Sequence, residues 1–253
     1  MKRFNVVILA GSEPGPLSEL TGHDEKALIP IHGRAMVEHV IDAFAASARV
    51  RHIVVVGSAN LDRLPAMRKV RRRLPQAHSV LQNLLLAVGY VKHRLYSGAS
   101  EHDGYVVSFC DAVFLTPEHI DRTLAAVEAS RGQVVLNYVE RATFEAAGLP
   151  TQRTYIPFQG KHYTGSTLYY VRSFSKLLRW LPRMAELRAH RKDPGRLLEI
   201  VGARGGDLRD LERALGRQLR ARVRLLESPI AELGMDVDKP ADLELAMRLL
   251  DPA

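Results

Sequence analysis

Apolar runs alternate with amphipathic stretches along the first half of the chain. Phe4 to Ala10 is an apolar run closed by Gly11, and Ile53 to Val56 is a second, closed by Gly57. Between them, Ala35 to Ala48 places Met36, Val37, Val40, Ile41 and Phe44 at helical spacing. Val80 to Leu95 reads as another helix, Tyr105 to Cys110 as a third buried strand, and Val134 to Val139 as a fourth. Pro117 to Ala129 predicts a helix with Thr116 as its N-cap and Pro117 at its first position. Runs without strand-like alternation belong to strands covered on both faces, so the pattern predicts a doubly wound, mainly parallel sheet in a three-layer α/β/α arrangement. Ligands of such sheets sit at the carboxyl ends of the strands.

The second half differs. Thr154 to Phe158 and Thr167 to Val171 predict short strands joined by a loop over Gly160 to Gly165. Phe174 to Leu219 reads as mostly helical, broken at Pro182, Pro194, Gly202 and Gly205-Gly206, with the stripe Leu208, Leu211, Leu215 and Leu219 as core or partner interface. Arg222 to Leu226 predicts a final strand. A last helix follows Asp236 to Pro240, with Asp238 as N-cap, Pro240 in the first turn, and Leu243, Leu245, Ala246, Leu249 and Leu250 on its apolar face. Without internal repeats or a long linker, residues 1–253 predict one domain with a helical elaboration at about 172–221.

Composition narrows the class. Of 253 residues, 46% are hydrophobic and 25% charged, which excludes a disordered or fibrous chain. No apolar stretch approaches the roughly 20 residues of a membrane-spanning helix. Lys2-Arg3 and its short apolar run lack a signal peptide's cleavage site, so a cytoplasmic first strand is expected. The single cysteine, Cys110, rules out an intrachain disulfide, and its place in an apolar run predicts a buried, inert thiol. The formal charge of +8 is concentrated. Arg172 to Arg224 holds 15 Lys or Arg against six Asp or Glu, leaving the remainder about neutral. Only Phe174 and Trp180 lie among these arginines, too few to form the stacking platform of a single-strand binder, so nucleic acid is not the expected partner; the oligomeric state stays open, a homo-oligomer included.

Candidate chemistry starts at the turn Leu9-Ala10-Gly11-Ser12-Glu13-Pro14-Gly15, a small-residue loop whose amides can approach phosphate closely. It satisfies neither the Rossmann fingerprint nor the Walker A loop. The continuation Gly22 to Val37 contains Lys26-Ala27-Leu28 and then Gly33 before a helix. Leu9-Ala10-Gly11 with Lys26-Ala27-Leu28 resembles the MobA-like nucleotidyltransferase family, within the wider GT-A nucleotidyltransferases. That resemblance implies a three-layer GT-A-like α/β fold and Mg2+-dependent transfer of a nucleotide from a nucleoside triphosphate to a phosphate or hydroxyl acceptor, releasing pyrophosphate. It further implies that Leu9, Ala10, Gly11 and Ser12 hold the nucleotide and that Lys26 stabilises the phosphates.

Further matches lie downstream. His78-Ser79-Val80-Leu81-Gln82-Asn83 resembles the family's helix start near the base, placing Ser79 and Asn83 at the nucleotide, although Ser79 is equally an ordinary N-cap residue. Ser108 to Pro117 resembles the segment whose aspartate, here Asp111, binds magnesium. Met235 to Leu243 resembles the closing segment that returns a second carboxylate, Asp238, with Asp236 as its companion or substitute. Tyr163-Thr164-Gly165-Ser166-Thr167-Leu168 resembles the acceptor-side segment, implying acceptor contacts from Gly165, Ser166 and Thr167. Departures are evident: Ser12 replaces the family's second glycine, that loop lacks the arginine of many relatives, and Ala112-Val113 stands where an aliphatic-proline pair is usual. Two other readings stay open. The Asp236-Val237-Asp238 triplet also suits a sugar-nucleotide glycosyltransferase, and the basic stretch suits a non-catalytic nucleotide or nucleic-acid binder.

Overall fold

A computed structural model describes residues 1–11, 16–95, 104–150, 152–172, 178, 186, 190, 193–200 and 207–251. Its strands are β1 Phe4–Ala10, β2 Pro30–Ile31, β3 Arg34–Ala35, β4 Val50–Gly57, β5 Arg72–Leu74, β6 Tyr105–Phe109, β7 Val134–Glu140, β8 Ile156–Phe158, β9 Lys161–Val171 and β10 Val223–Glu227. The main sheet runs β10-β7-β9-β6-β1-β4-β5, with β8 paired to β9. Within this sheet all pairings are parallel except those of β9, which lies antiparallel to β6, β7 and β8, while β2 and β3 form a separate antiparallel pair. The sheet is therefore mixed but mostly parallel, with helices packed on both of its faces.

The helices are α1 Pro16–Thr21, α2 Met36–Ala46, α3 Val80–Tyr90, α4 Pro117–Ser130, α5 Arg141–Ala146, α6 Pro194–Ile200, α7 Leu208–Leu219 and α8 Pro240–Leu249. Their distribution explains the unbroken apolar runs. In β1, Phe4, Val6, Ile8 and Ala10 enter one core with α2 and α4, while Val7 and Leu9 enter a second with α3 and α7. Period-two geometry thus sends both sets of side chains into apolar layers, and every residue of β1 is buried. Thr116 caps α4 by accepting the His119 N–H, and Pro117 opens it, as the sequence predicts.

Three expectations need correction. The stretch 160–165 is not a loop: Gln159 and Gly160, with φ of 50° and 76°, make a tight reversal, and β9 begins at Lys161, which pairs with Phe158. Asp238 is not the N-cap of α8. Lys239 occupies that position, and the Asp242 carboxylate accepts from the backbone N–H groups of both Asp238 and Lys239, at 3.1 and 2.9 Å. The apolar face of α8 is narrower than its pattern, since Leu245 and Ala246 are buried but Leu249 is 47% exposed. The predicted helical stretch from Phe174 to Leu219 lies partly outside the described residues; within them α6 and α7 are helical, and Leu215 and Leu219 reach the core. No described helix is long and apolar enough to cross a membrane.

Candidate active site

The sheet opens at the carboxyl ends of β1 and β6. Ladder pairing of β6 with β9 covers only Tyr105 to Val107, so beyond it the end of β6 and the Thr164 to Thr167 part of β9 face each other across a cleft of about 800 Å³. Gly11, Ser79, Val80 and Asn83 line one side, Thr164 to Thr167 and Arg153 the other, and the charged cluster lies between them.

Backbone geometry assembles that cluster. Cys110 N–H donates to the Leu9 carbonyl at 3.0 Å, prolonging the β1–β6 register by one residue and setting Asp111 at the mouth. The Asp111 carbonyl accepts from Val237 N–H at 3.2 Å, which joins the chain's closing segment to the same point. Val237 is completely buried, so the flanking residues of this extended segment, Asp236 and Asp238, turn to the opposite side, toward the cleft. One carboxylate oxygen from each of Asp111, Asp236 and Asp238 lies within 4.8 Å of the others.

Lys26 completes the group. It stands on a 3-10 turn, Lys26–Leu28, pinned by buried Ala27, Ile29 and Ile31. Just before it, Glu25 anchors the loop to the end of β4 by accepting from the Ser58 hydroxyl and from Asn60 Nδ2. Lys26 Nζ donates to Asp111 Oδ2 at 2.5 Å and also to Asp238 Oδ1. Burial works against the ammonium charge, but the carboxylates of Asp111 and Asp238 more than offset it and hold Lys26 above the ordinary lysine range. Burial raises Asp111 above the usual carboxylate range, with Lys26 opposing. Asp236 is pushed up to about 6, first by burial and then by the like charges of Asp238 and Asp111, while Arg153 pulls it down. Tyr169, half-buried in the cleft wall beside this group, is pushed up to about 12, first by burial and then by the charges of Asp236 and Asp111, and contributes a neutral phenol. Cys110 behaves as its apolar setting predicts, raised to about 12 by burial.

Most of the residues picked out by sequence meet at this cleft. Leu9, Gly11, Lys26, Ser79, Asn83, Asp111, Gly165, Ser166, Thr167, Asp236 and Asp238 all line it. Ala10 is buried in the core beneath, and Ser12 falls outside the described residues. Ser79 is an N-cap as well, accepting from Gln82 N–H at 3.2 Å. Asn83 is buried and accepts from Ala77 N–H at 2.5 Å, while its Nδ2 would lie only 2.8 Å from a β-carbon at Gly11. It thus ties the 76–79 loop to the first turn. The hydroxyls of Ser166 and Thr167 turn inward: Ser166 Oγ accepts from Leu168 N–H at 2.9 Å, and Thr167 Oγ1 donates to the Leu233 carbonyl at 3.1 Å.

Sequence reading passed over Arg153. It donates from Nη1 to the Gly234 carbonyl at 2.6 Å and to Asp236 Oδ1 at 2.9 Å, and lies 5.7 Å from the centre of the Phe144 ring. No local motif marks it, because its partners lie more than 80 residues away. Glu25 and Lys239 were passed over as well; the acidic residue just before Lys26 was the one local signal.

A mostly parallel sheet carrying a lysine and carboxylates where its strands end is the arrangement of GT-A-like nucleotide-handling transferases. Comparison with known proteins narrows this. The chain belongs to the MobA-like NTP transferase domain family, whose sequence pattern matches residues 6–223, and through that membership to the nucleotidyltransferase enzymes. The structure of a hypothetical transferase from Thermus thermophilus superposes with a TM-score of 0.74 at 28% identity, covering 96% of this chain and 100% of that one. Two curated relatives match in part. The bifunctional protein GlmU of Rhodospirillum rubrum is 31% identical over 136 residues, 53% of this chain and 28% of that protein. The 2-C-methyl-D-erythritol 4-phosphate cytidylyltransferase of Ralstonia nicotianae is 32% identical over 145 residues, 53% of each chain. The match therefore spans about half or less of either relative's own length.

Proposed function

We propose that the chain transfers a nucleotidyl group from a nucleoside triphosphate to a small acceptor, with Mg2+ as cofactor and pyrophosphate as the product released. The observation that carries this is the convergence of Lys26 with Asp111, Asp236 and Asp238 in one cleft that has Gly11 on one side and β9 on the other. The three carboxylates suit a hard divalent cation: all donors are oxygens, they lie within 4.8 Å, and a cationic side chain already bridges two of them. Asp111 and Asp238 would hold the ion, with Asp236 beside them. Magnesium, when bound, supplies charge neutralisation on phosphate oxygens.

The chain's own groups do the rest. Gly11, lacking a β-carbon, lets the triphosphate approach the backbone after β1, and Asn83 keeps the 76–79 loop in register with it for the base. The Lys26 ammonium is placed to stabilise charge on the α-phosphate as the acceptor oxygen attacks phosphorus and the bond to the bridging oxygen breaks. Thr164 to Thr167 and Arg153 form the opposite wall, where the acceptor would lie. The inward-turned hydroxyls of Ser166 and Thr167 leave that role to Gly165 and the backbone. The Ralstonia relative is by name a cytidylyltransferase acting on a phosphorylated compound, which makes CTP the first donor to test and a phosphorylated alcohol the first acceptor.

The test is pyrophosphate release from each of the four nucleoside triphosphates, with and without Mg2+, in the presence of candidate acceptors. Transfer that needs magnesium and is lost in folded Asp111→Ala and Lys26→Ala proteins is expected. Full activity in either variant refutes the reading, and release of a nucleoside diphosphate from a sugar nucleotide would replace it with glycosyl transfer.

A further inference from the structure

A second concavity lies away from the cleft. Arg209 and Arg213 of α7, with Arg222 and Arg224 at the start of β10, line a groove of about 530 Å³ floored by Gly216 and Ala221. A smaller hollow of about 270 Å³ shares Arg222 with it and adds Lys2, Arg131 and Arg172. Lys2 precedes β1, Arg131 precedes β7, Arg222 precedes β10, and Arg172 follows the antiparallel β9. These cations therefore stand at the amino-terminal edge of the parallel strands, opposite the edge that carries Asp111 and Lys26.

Three observations set this face apart from an ordinary solvated one. First, its carboxylates are already engaged: Glu212 accepts from Arg224 and from Leu225 N–H, Asp210 pairs with Arg213, and Glu128 pairs with Arg49. Among the described residues, no carboxylate pairs with Arg131, Arg172, Arg209 or Arg222. Second, the α7 arginines at 209, 213 and 217 recur at four-residue spacing, so they share one exposed stripe while Leu215 and Leu219 hold the opposite stripe in the core. Third, Arg131 and Arg220 cap α4 and α7 in the left-handed conformation, with φ of 51° and 46°. Glycine is favoured at such positions. The helix dipole rewards a positive charge there, but it does not account for a β-carbon at positive φ in both turns on one face.

Guanidinium forks match phosphate oxygens in pairs, and cations supplied by five separate segments along two joined hollows suit an extended anion rather than a single ion. The aromatic residues of the smaller hollow offer no stacking surface, since Phe4 is fully buried and Tyr170 nearly so. Bases would go unread. We propose that this face binds a linear chain of phosphates, as in inorganic polyphosphate or a nucleic-acid backbone, through the phosphates alone.

The test uses the full chain and a triple variant, R209E/R213E/R222E, whose substitutions fall outside the catalytic cleft. Binding of inorganic polyphosphate, of a single-stranded homopolymer oligonucleotide of matched charge, and of phosphatidylserine vesicles is measured across a salt series. The wild type is expected to bind both phosphate chains, without preference among homopolymers of different base. In the variant, affinity should fall by about 100-fold and the slope of log affinity against log salt by about two, three lost contacts at about 0.7 each. An unchanged melting temperature and unchanged pyrophosphate release in the variant show that the loss is local. Binding of polyphosphate but not the oligonucleotide assigns the site to the free phosphate chain. Retention of both ligands by the variant, a base preference, or binding to vesicles alone overturns the proposal, and each leaves the nucleotidyl-transfer reading standing.

Discussion

Lys26→Met removes the one ammonium that bridges Asp111 and Asp238 while keeping most of the side-chain volume. In the wild type, Nζ is 2.5 Å from Asp111 Oδ2 and also bonded to Asp238, in a group of three carboxylates whose oxygens lie within 4.8 Å. Unit charges at that separation repel by about 3.5 kcal/mol per pair at an effective dielectric of about 20. The side chain of Asp238 is 58% exposed against 16% for Asp111, so water screens its share strongly. A net loss of about 2 kcal/mol in the metal-free protein remains, or about 4–8 °C in melting temperature for a domain of this size. The same bridge stands where a divalent cation would sit, so in the wild type a metal must first displace the ammonium. In the variant it meets uncompensated carboxylates. Metal titration without nucleotide, by calorimetry and by thermal shift, should therefore show tighter binding in Lys26→Met, by about 10- to 30-fold if most of the 2 kcal/mol is recovered, even though nucleotidyl transfer is lost. A variant as stable as the wild type without metal, or one that binds metal more weakly, would refute this account of Lys26.

Other outcomes follow from the same geometry. Gly11→Ala puts a β-carbon 2.8 Å from Asn83 Nδ2 and should disturb the Asn83 bond to Ala77 N–H, raising KM for the triphosphate about tenfold with little change in melting temperature. Asn83→Ala should show a similar KM by itself, and the two changes should be non-additive in a double-mutant cycle, because they act on one contact; full additivity would show that the contact is not shared. His39 and His52 are both held below the ordinary histidine range, chiefly by burial. The unfolded chain then takes up protons near pH 6.5 before the native state does, so stability is present above that pH and is lost as pH falls toward the native values. His39→Gln, which keeps a donor for the Ile31 carbonyl, should flatten the decline in melting temperature between pH 8 and 5; an unchanged slope would count against it. Phe144→Ala empties a fully buried site beneath Arg153 and should cost about 3–5 kcal/mol in denaturant unfolding, with a loss below 1 kcal/mol arguing against that packing.

How far the sequence could be read depended on whether the cause was local. Strands β1, β4, β6 and β7 were legible because burial on both faces leaves an unbroken apolar run, and Thr116-Pro117 announced α4 because capping is decided within four residues. Strand β5 gave no such signal: Arg72 and Arg73 pair with β4 at the sheet margin, where one side of the strand has no neighbour to bury it. The length of β9 was hidden for a related reason, since Thr164 and Gly165 carry little apolar pattern and are held by pairing to Val139 and Tyr138 from a distant segment. Asp238 shows the limit most clearly. Its type and its place before Pro240 suit an N-cap, yet Asp242 performs that task from the third residue onward, and Asp238 is left to turn toward Lys26, 212 residues earlier in the chain. Local rules identify which side chains are able to cap or ligate. The choice between those roles is made by the backbone bond from Val237 to Asp111 and by the buried Val237 side chain, which together orient both aspartates at once. Replacing Val237 with threonine would therefore test the site as sharply as replacing an aspartate: a hydroxyl in a fully buried position has to find a partner, and rotation of the segment to provide one would separate the carboxylates without removing either.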